Sequence, residues 1–231
     1  MRNLSYILIV LISFVVMLFA SGNIIAQQPE KTTAEEKTIG QYSPEDFSHL
    51  LGMPGFSDTM LKNHFKLYQG YVKNTNLLLK KLQTFLTEGK EGTPEYAELK
   101  RRLGFEFNGM RLHEYYFGNL GGKKELDSKS SLYKRMVEVF GSFSFWKNDF
   151  ISTGSMRGIG WVILYQDPQS GRLFNSWINE HEVNHLAGCI PVLVMDVFEH
   201  AYLTDYQLDR KKYIEAFFKN INWDTAANRL K

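Results

Sequence analysis

The feature that most constrains the fold of this chain is an apolar run, Ile190 to Met195, that ends at a carboxylate, Asp196. An apolar run of this length, bounded by polar residues, favours a buried β-strand. His200 follows the aspartate by four residues. If the strand ends at Asp196 and the next turn brings His200 to the same side, both side chains can bind one ion. A carboxylate oxygen with an imidazole nitrogen suits iron, manganese or zinc.

Length, charge and cysteine content limit the classes of protein that fit. The chain has 231 residues, enough for one large domain or two small ones with a real core. Its formal net charge of +2 is close to neutral, so we expect no nucleic-acid partner. The only cysteine, Cys189, cannot form an intramolecular disulfide, and its apolar neighbours indicate a core thiol.

The first 26 residues differ in composition from the rest of the chain. Arg2 supplies a positive charge, Tyr6 to Ala20 is almost uninterruptedly apolar, and small residues at 20–22 and 25–27 offer cleavage points. This pattern predicts a signal peptide over 1–26 and therefore export to the periplasm or secretion. The alternative is an uncleaved N-terminal membrane anchor, although a full span needs roughly 20 apolar residues. The polar residues 27–42 predict a flexible tether.

The next part of the chain, residues 43–122, predicts a helical hairpin domain. Ser57 or Asp58 caps a helix that runs to about Gly89, with apolar residues mainly three and four apart. Pro94 opens a second helix, which continues with interruptions to about Gly118. The short connection between the two helices favours an antiparallel pair.

The remainder, residues 123–231, predicts a small mixed α/β domain. We expect strands over 160–165, 173–178 and 190–195, the first two joined by a turn at 167–171. Pro191 places the third strand at a sheet edge or at its own start. Helices are expected over 131–139, 146–152, 213–221 and 223–230. The fold class is therefore α+β, an N-terminal antiparallel helical hairpin followed by a three-stranded antiparallel sheet with flanking helices.

One local pattern indicates a different metal chemistry. His181-Glu182-Val183-Asn184-His185 fits H-E-x-x-H, in which two helix-borne histidines hold zinc and the glutamate activates water. The segment is a poor helix candidate, because Gly188 and Pro191 follow closely and a strand-like run precedes it. A zinc hydrolase built on His181, Glu182 and His185 is therefore the less favoured alternative.

Several segments, taken in order, resemble the iron/manganese superoxide dismutase family. They are FNGMRLHEYYFGNL at 107–120, HEVNHLAGCIP at 181–191, DVFEHAY at 196–202, INWDTAANR at 221–229 and, more loosely, HFKLYQGYVKNTN at 64–76. The resemblance covers nearly all of the chain after about Tyr42. It implies an exported enzyme that converts superoxide to oxygen and hydrogen peroxide by ping-pong redox cycling of one iron or manganese ion per subunit.

The resemblance also implies roles for individual residues. It gives the metal ion three imidazole ligands and one carboxylate ligand, which are His64, His113, Asp196 and His200. It makes His181, which lies ten residues before Pro191, the side chain that hydrogen-bonds solvent at the metal. It makes Tyr71 the active-site tyrosine, and the pocket walls would be Trp161, Tyr116 and Phe117.

A partner subunit follows from the same resemblance. Glu199 matches a glutamate that bridges to the metal site of the other subunit, so a homodimer is expected. A membrane is expected as a partner only if the N-terminal segment is uncleaved. Glu182 and His185 receive no role from the resemblance, and their default is a solvated or structural position.

The first helix departs from the family pattern. His64 precedes Tyr71 by seven residues, where the family usually has eight, and Asn63 occupies the position of an ungapped match. Loss of a single π-type bulge would restore a regular helix with both side chains facing the metal. Gly70, which is costly in a helix interior, predicts the close approach of another segment.

The substrate entrance departs as well. The family commonly pairs a histidine of the first helix with a tyrosine three residues after the last ligand. Here those positions hold Leu67 or Tyr68, and Leu203. The alternative that follows is a non-catalytic metal-binding protein on the same scaffold.

Overall fold

The computed structural model describes residues 40–231, so the predicted signal segment and most of the predicted tether lie outside the described residues. Within 40–231, none of the helices combines the length and apolar character needed to cross a membrane. The domain boundary near residue 122 stays a prediction. One cluster of buried side chains nevertheless extends from the helices before that position to the strands after it.

The helical hairpin is present as predicted. Helix α1 spans Asp58–Thr87 and helix α2 spans Pro94–Gly118, and the two pack against each other. Both begin at a hydroxyl cap, because Ser57 accepts a hydrogen bond from the Met60 N–H and Thr93 accepts one from the Tyr96 N–H. The expected interruptions of the second helix are wrong, since α2 is continuous over 25 residues.

The close approach in the hairpin occurs at a different glycine from the one predicted. Outside the adjoining backbone of α1, a Cβ atom built on Gly70 meets no atom of residues 40–231 within 4 Å, so the expectation for Gly70 is wrong. A Cβ atom on Gly109 in α2 would lie 2.6 Å from the Tyr71 ring of α1. The missing side chain of Gly109 therefore makes room for Tyr71.

Two helices lead from the hairpin to the sheet. Helix α3 spans Ser131–Phe140 and helix α4 spans Phe143–Gly154. Helix α4 begins three residues earlier than predicted, because the Ser142 hydroxyl accepts a hydrogen bond from the Phe145 N–H and caps the helix there.

The three predicted strands form one antiparallel sheet in the order β2-β1-β3. They are β1, Gly160–Gln166, β2, Leu173–Asn179, and β3, Ile190–Asp196. The central strand β1 is buried along its whole length. Pro191 lies in β3, as predicted for an edge strand or the start of a strand. An edge strand tolerates proline, because a backbone N–H on its outer side is not needed for pairing. The register places Trp161 of β1 opposite Asp196 of β3.

The outer edge of β3 is covered by the end of α2. Asn119 is fully buried, and its side-chain amide donates to the Val194 carbonyl at 3.0 Å and accepts from the Val194 N–H at 3.1 Å. Arg229 donates to the same Asn119 oxygen and to the Val192 carbonyl. The Asn119 side chain thus forms both hydrogen bonds that a neighbouring strand would give Val194, and these bonds hold the end of α2 against the sheet.

The chain after β3 consists of short helices. A 3-10 turn covers Glu199–Ala201, and it is followed by α5, Leu203–Tyr206, α6, Arg210–Lys219, and α7, Trp223–Asn228. Helix α6 begins three residues earlier than predicted, because Asp209 accepts a hydrogen bond from the Lys212 N–H. Helix α7 ends two residues earlier than predicted. The four-residue α5 was not predicted, since an element of one turn carries no periodicity.

Gly70 and Gly109 provide a matched pair of substitutions in the hairpin. We predict that Gly70→Ala raises the free energy of unfolding by about 1 kcal/mol, because alanine removes the backbone-entropy cost of glycine. Gly109→Ala should lower the free energy of unfolding by about 2 kcal/mol, because the new methyl group overlaps the Tyr71 ring. Urea unfolding of the two variants measures both changes, and equal effects would contradict the packing described here.

Candidate metal centre

The four side chains predicted as ligands meet at one point of the fold. His64 comes from α1, His113 from α2, Asp196 from the last position of β3 and His200 from the 3-10 turn after it. One ligand atom of each lies within 4.8 Å of all the others. Residues that are far apart in sequence are therefore brought to the spacing of a single ion.

The carboxylate is at the centre of this group. Asp196 Oδ2 lies 3.1 Å from His64 Nε2, 3.1 Å from His200 Nε2 and 3.7 Å from His113 Nε2. The side chains of His64, His113 and Asp196 are buried, whereas 28% of the His200 side chain is exposed. The donor atoms are therefore shielded from solvent on the side of the helical hairpin and are nearest to solvent at His200.

The phase of α1 agrees with the choice of His64 over Asn63. Helix α1 is α-helical over its whole length, so seven residues between His64 and Tyr71 make two turns on one face. Asn63 is exposed, and His64 is 2% exposed. Helix α1 is therefore regular here, and His64 and Tyr71 both face inward.

The protonation of His113 leaves one nitrogen free for an ion. Its Nδ1 lies 2.6 Å from the Gly109 carbonyl oxygen, which only accepts, so Nδ1 carries the proton. Its Nε2 is buried and has no hydrogen-bond partner among the described residues. A buried polar atom without a partner costs about 1–3 kcal/mol. A metal ion bound by the four donor atoms would give this nitrogen its partner.

The electrostatics of the group also suit a metal ion. Burial lowers the pKa of His64 and lowers the pKa of His113 well below the ordinary value, so both are neutral at physiological pH. Burial alone would raise the pKa of Asp196, but His200 and His64 outweigh it and hold that pKa low. Neutral imidazoles and an ionised carboxylate are the forms that bind iron, manganese and zinc.

A second hydrogen-bonded set adjoins the ligands. His181 is fully buried near the start of the loop that joins β2 to β3. The Trp161 indole N–H donates to His181 Nδ1 at 3.0 Å, so the imidazole proton lies on Nε2. Nε2 lies 2.7 Å from the Tyr71 hydroxyl and donates to it. Both ring nitrogens are thus engaged by protein groups, and a hydrogen bond from His181 to solvent at the metal stays a prediction. Burial lowers the pKa of His181 to about 4, which keeps the ring neutral.

Tyr71 links this set to the ligands. Its hydroxyl accepts from His181, so its own proton is available to another acceptor. Its ring stacks on the His113 ring at a centroid distance of 5.2 Å. Burial raises the pKa of Tyr71, and the nearby Asp196 carboxylate adds to this increase. The phenol therefore stays protonated at physiological pH.

The aromatic residues predicted as walls contact the ligands. Trp161 lies 5.0 Å from the His113 ring, and Tyr116 and Phe117 lie 5.3 Å and 4.8 Å from the His64 ring, all between ring centroids. Each of the three side chains is fully buried. They separate the group of donor atoms from the rest of the core.

Three further residues at the centre were missed by the sequence analysis. Phe198 stacks on the His181 and His200 rings at 4.7 Å and 5.1 Å. Phe105 packs against His181 at 4.6 Å. The Tyr213 hydroxyl donates to the Asp196 main-chain carbonyl at 2.6 Å. Phe198 lies within DVFEHAY and could have been found there, whereas Phe105 and Tyr213 carried no local signal.

Comparison with known proteins decides the family. The family model described as iron/manganese superoxide dismutases, C-terminal domain, matches residues 128–229. A superoxide dismutase (Fe) of Aquifex pyrophilus is 38% identical over 199 residues, which cover 83% of this chain and 92% of that protein. The chain belongs to the iron/manganese superoxide dismutase family. Proteins of the same name from Cupriavidus metallidurans and Sulfolobus acidocaldarius are 36% and 33% identical, and the matches cover 77% of this chain and 90% and 86% of those proteins.

The residues predicted to form the substrate entrance of this superoxide dismutase family member differ in exposure. Leu67 and Leu203 are 36% and 45% exposed, so apolar side chains lie at the solvent boundary. Tyr68 is buried, and its hydroxyl accepts from the Glu45 N–H and donates to the Glu114 carboxylate. Of the two residues considered for the first-helix partner, Leu67 is therefore the one at the surface. Glu199, the predicted dimer bridge, is exposed beside His200.

The H-E-x-x-H segment does not form a zinc site. Residues 181–185 are not helical, and Glu182 is exposed. His181 has protein partners on both ring nitrogens, and His185 does as well. With no free ring nitrogen on either histidine, the zinc hydrolase alternative loses its ligands.

Removal of one donor atom should empty the centre. We predict that His113→Ala and Asp196→Ala each reduce bound metal by more than about tenfold, because each removes one of the four donor atoms. Mass-spectrometric metal analysis of protein purified with iron and manganese supplied measures this. His49→Ala is the control, because His49 is exposed in the 3-10 turn Ser48–Leu50. Full metal content in His113→Ala would contradict the assignment.

Proposed function

We propose that this chain is an exported superoxide dismutase that uses one bound iron or manganese ion to convert superoxide to oxygen and hydrogen peroxide. The observation that carries the proposal is the set of four donor atoms within 4.8 Å of one another, with the orphaned Nε2 of His113 among them. Both metals accept this donor set. The relatives named as iron enzymes favour iron.

The reaction requires electrons and protons in balance. Two superoxide ions and two protons give one molecule of oxygen and one of hydrogen peroxide. One-electron redox chemistry would come from the bound ion, with one superoxide oxidised and the second reduced. His64, His113, Asp196 and His200 would hold that ion. The protein's other task is to deliver protons to the peroxide product.

Tyr71 and His181 are placed to deliver protons. The His181 Nε2–H donates to the Tyr71 oxygen, which leaves the Tyr71 hydroxyl proton free to be donated into the pocket. Trp161 fixes the ring orientation of His181 from its other side. Because burial keeps His181 neutral, the ring acts as a hydrogen-bond donor without adding a charge. We therefore assign Tyr71 as the proton donor and His181 as the residue that supports it.

The surrounding side chains restrict what reaches the ligands. Trp161, Tyr116 and Phe117 close the core side, and Phe198 lies between His181 and His200. His200 keeps part of its side chain exposed, which leaves an approach for a small anion. Exclusion of bulk water strengthens every electrostatic interaction in the site.

A second candidate function is a metal-binding protein without turnover on the same scaffold. The observation that favours it is the pair of exposed leucines, Leu67 and Leu203, at positions where the family commonly has hydrogen-bonding side chains. Loss of those polar groups would slow proton supply from solvent without removing any of the four donor atoms.

Export and dimer formation complete the proposal. Export rests on the apolar run from Tyr6 to Ala20 and the small residues that follow it. A homodimer with Glu199 as its bridge rests on the resemblance of DVFEHAY and on the exposure of Glu199 and part of His200.

Superoxide removal by the metal-loaded protein tests the enzymatic proposal. We predict activity well above that of free metal, and a loss of about 10- to 100-fold in His181→Ala with metal retained, as is usual for residues that support ligands and bound solvent. His181→Gln is the matched control, because its amide can accept from Trp161 and donate to Tyr71. Retained metal with negligible activity in the unaltered protein would select the second candidate.

The mature protein tests export and assembly together. We predict that protein recovered from the periplasm or medium has lost its first 20 to 26 residues, as intact-mass measurement would show. Sedimentation of the same sample should give the mass of a dimer, and Glu199→Ala should weaken that dimer. An unprocessed chain in the cytoplasm, or a monomer at micromolar concentration, would contradict the corresponding part.

A further inference from the structure

The function proposed above leaves one histidine of the H-E-x-x-H segment unused. His185 is half-buried four residues after His181. Its Nε2 lies 2.9 Å from the main-chain carbonyl oxygen of His181, and its Nδ1 lies 2.7 Å from the Tyr165 hydroxyl. Both ring nitrogens are thus engaged, and one of the contacts is to the backbone of the residue that supports Tyr71.

The Asn108 side-chain nitrogen also lies 3.4 Å from His185 Nε2, but the shorter 2.9 Å contact to the His181 carbonyl oxygen sets the direction of the hydrogen bonds. A carbonyl oxygen only accepts, so His185 carries its proton on Nε2 and donates it to His181. A neutral imidazole has one N–H, so Nδ1 accepts from the Tyr165 hydroxyl. The result is a directed chain from Tyr165 through His185 to the His181 backbone.

Tyr165 is a rigid starting point for this chain. It lies in β1, the central strand of the sheet, opposite Phe174 of β2 and Pro191 of β3. It is 2% exposed. The same strand carries Trp161, which holds the His181 ring. Strand β1 therefore holds His181 twice, directly at the ring and through His185 at the backbone.

The loop that carries His181 includes residues in a strained backbone conformation. Glu180 and Asn184 have φ angles of 52° and 78°, in the left-handed region that costs a residue with a side chain about 1 kcal/mol or more. Glu180 and Glu182, on either side of His181, are exposed. A backbone pair, Asn179 with Val183, closes the loop at its base, and the Asn184 side-chain amide donates to the Trp177 carbonyl at 2.8 Å. The Glu180 N–H also donates to the Ile159 carbonyl at 3.4 Å. None of these hydrogen bonds acts on the His181 peptide itself. A buried histidine between exposed neighbours on a strained loop needs a second restraint.

We propose that His185 is a positioning residue that fixes the His181 peptide and so keeps the His181 ring between Trp161 and Tyr71. The proposal rests on the proposed function, because the position of His181 affects catalysis only if the Tyr71 hydroxyl supplies protons. It also gives the second histidine of H-E-x-x-H a role that is not metal binding.

Three substitutions separate positioning from general stability. His185→Leu keeps a similar volume and removes both hydrogen bonds. His185→Gln keeps a donor for the His181 carbonyl and an acceptor for Tyr165. Tyr165→Phe removes a single hydroxyl and leaves the sheet packing, so it serves if His185→Leu does not fold. Glu182→Ala is the control on the same loop, because Glu182 is exposed.

The first measurement reads the His181 ring without any activity. Nitrogen NMR of ¹⁵N-histidine in the purified chain, loaded with diamagnetic zinc or left without metal, reports which His181 nitrogen carries the proton. We expect a single Nε2–H form in the unaltered protein and in His185→Gln. We expect a mixed or shifted signal in His185→Leu and Tyr165→Phe, and no change in Glu182→Ala.

The second measurement uses the iron- or manganese-loaded protein. We expect His185→Leu to lower kcat by about tenfold with metal content unchanged, as for loss of an outer support, and His185→Gln to restore most of it. Unaltered His181 signals in both His185→Leu and Tyr165→Phe would overturn the proposal. An equal change in Glu182→Ala would also overturn it. A shifted His181 signal with no superoxide activity in any form would instead uphold the positioning and remove the proposed function.

Discussion

The rest of the structure depends on the buried carboxylate of Asp196. Its side chain is fully removed from solvent, and a buried charge is stable only when opposite charge or hydrogen-bond donors surround it. The groups that surround it come from α1, α2 and the turn after β3, and His64 lies 132 residues away in sequence. The hairpin and the sheet must therefore dock in one relative position for Asp196 to be satisfied.

Several residues that hold the hairpin against the sheet provide no donor atom to the metal centre. Asn119 caps the outer edge of β3 with its side-chain amide, and Arg229 from the end of the chain joins the same group. The Tyr213 hydroxyl donates to the main-chain carbonyl of Asp196. The Tyr116 hydroxyl lies 3.1 Å from the Tyr213 hydroxyl. Asn119 and Arg229 belong to segments that carry the family resemblance, yet neither provides a donor atom to the centre. These segments keep α2 and the final helix against β3, which sets the distance between His113 and Asp196.

The four donor residues and His181 differ in how closely the fold must control their side chains. The four donor atoms need only to converge, and the ends of helices and strands bring them together. His181 needs an orientation as well as a place, because its Nε2–H must point at the Tyr71 hydroxyl. Strand β1 provides that orientation through Trp161 and, by our proposal, through Tyr165 and His185. A loop can carry a precisely oriented side chain when a buried strand holds it at two points.

The long helices, the three strands and the candidate ligands could be located from the amino-acid sequence alone. Apolar spacing located both long helices, together with the cap Ser57 and with Pro94 at a first helical position. The run ending at Asp196 located the third strand. These signals depend on neighbours within one or two turns. The packing of the elements was needed to show that Gly109 rather than Gly70 makes room for Tyr71, and that Asn119, Tyr213 and Phe105 support the centre. The contacts of His185 with Tyr165 and with the His181 carbonyl were likewise visible only in the folded structure. The physical reason is that a local pattern fixes backbone hydrogen bonds, whereas a side chain's partners depend on which elements pack together.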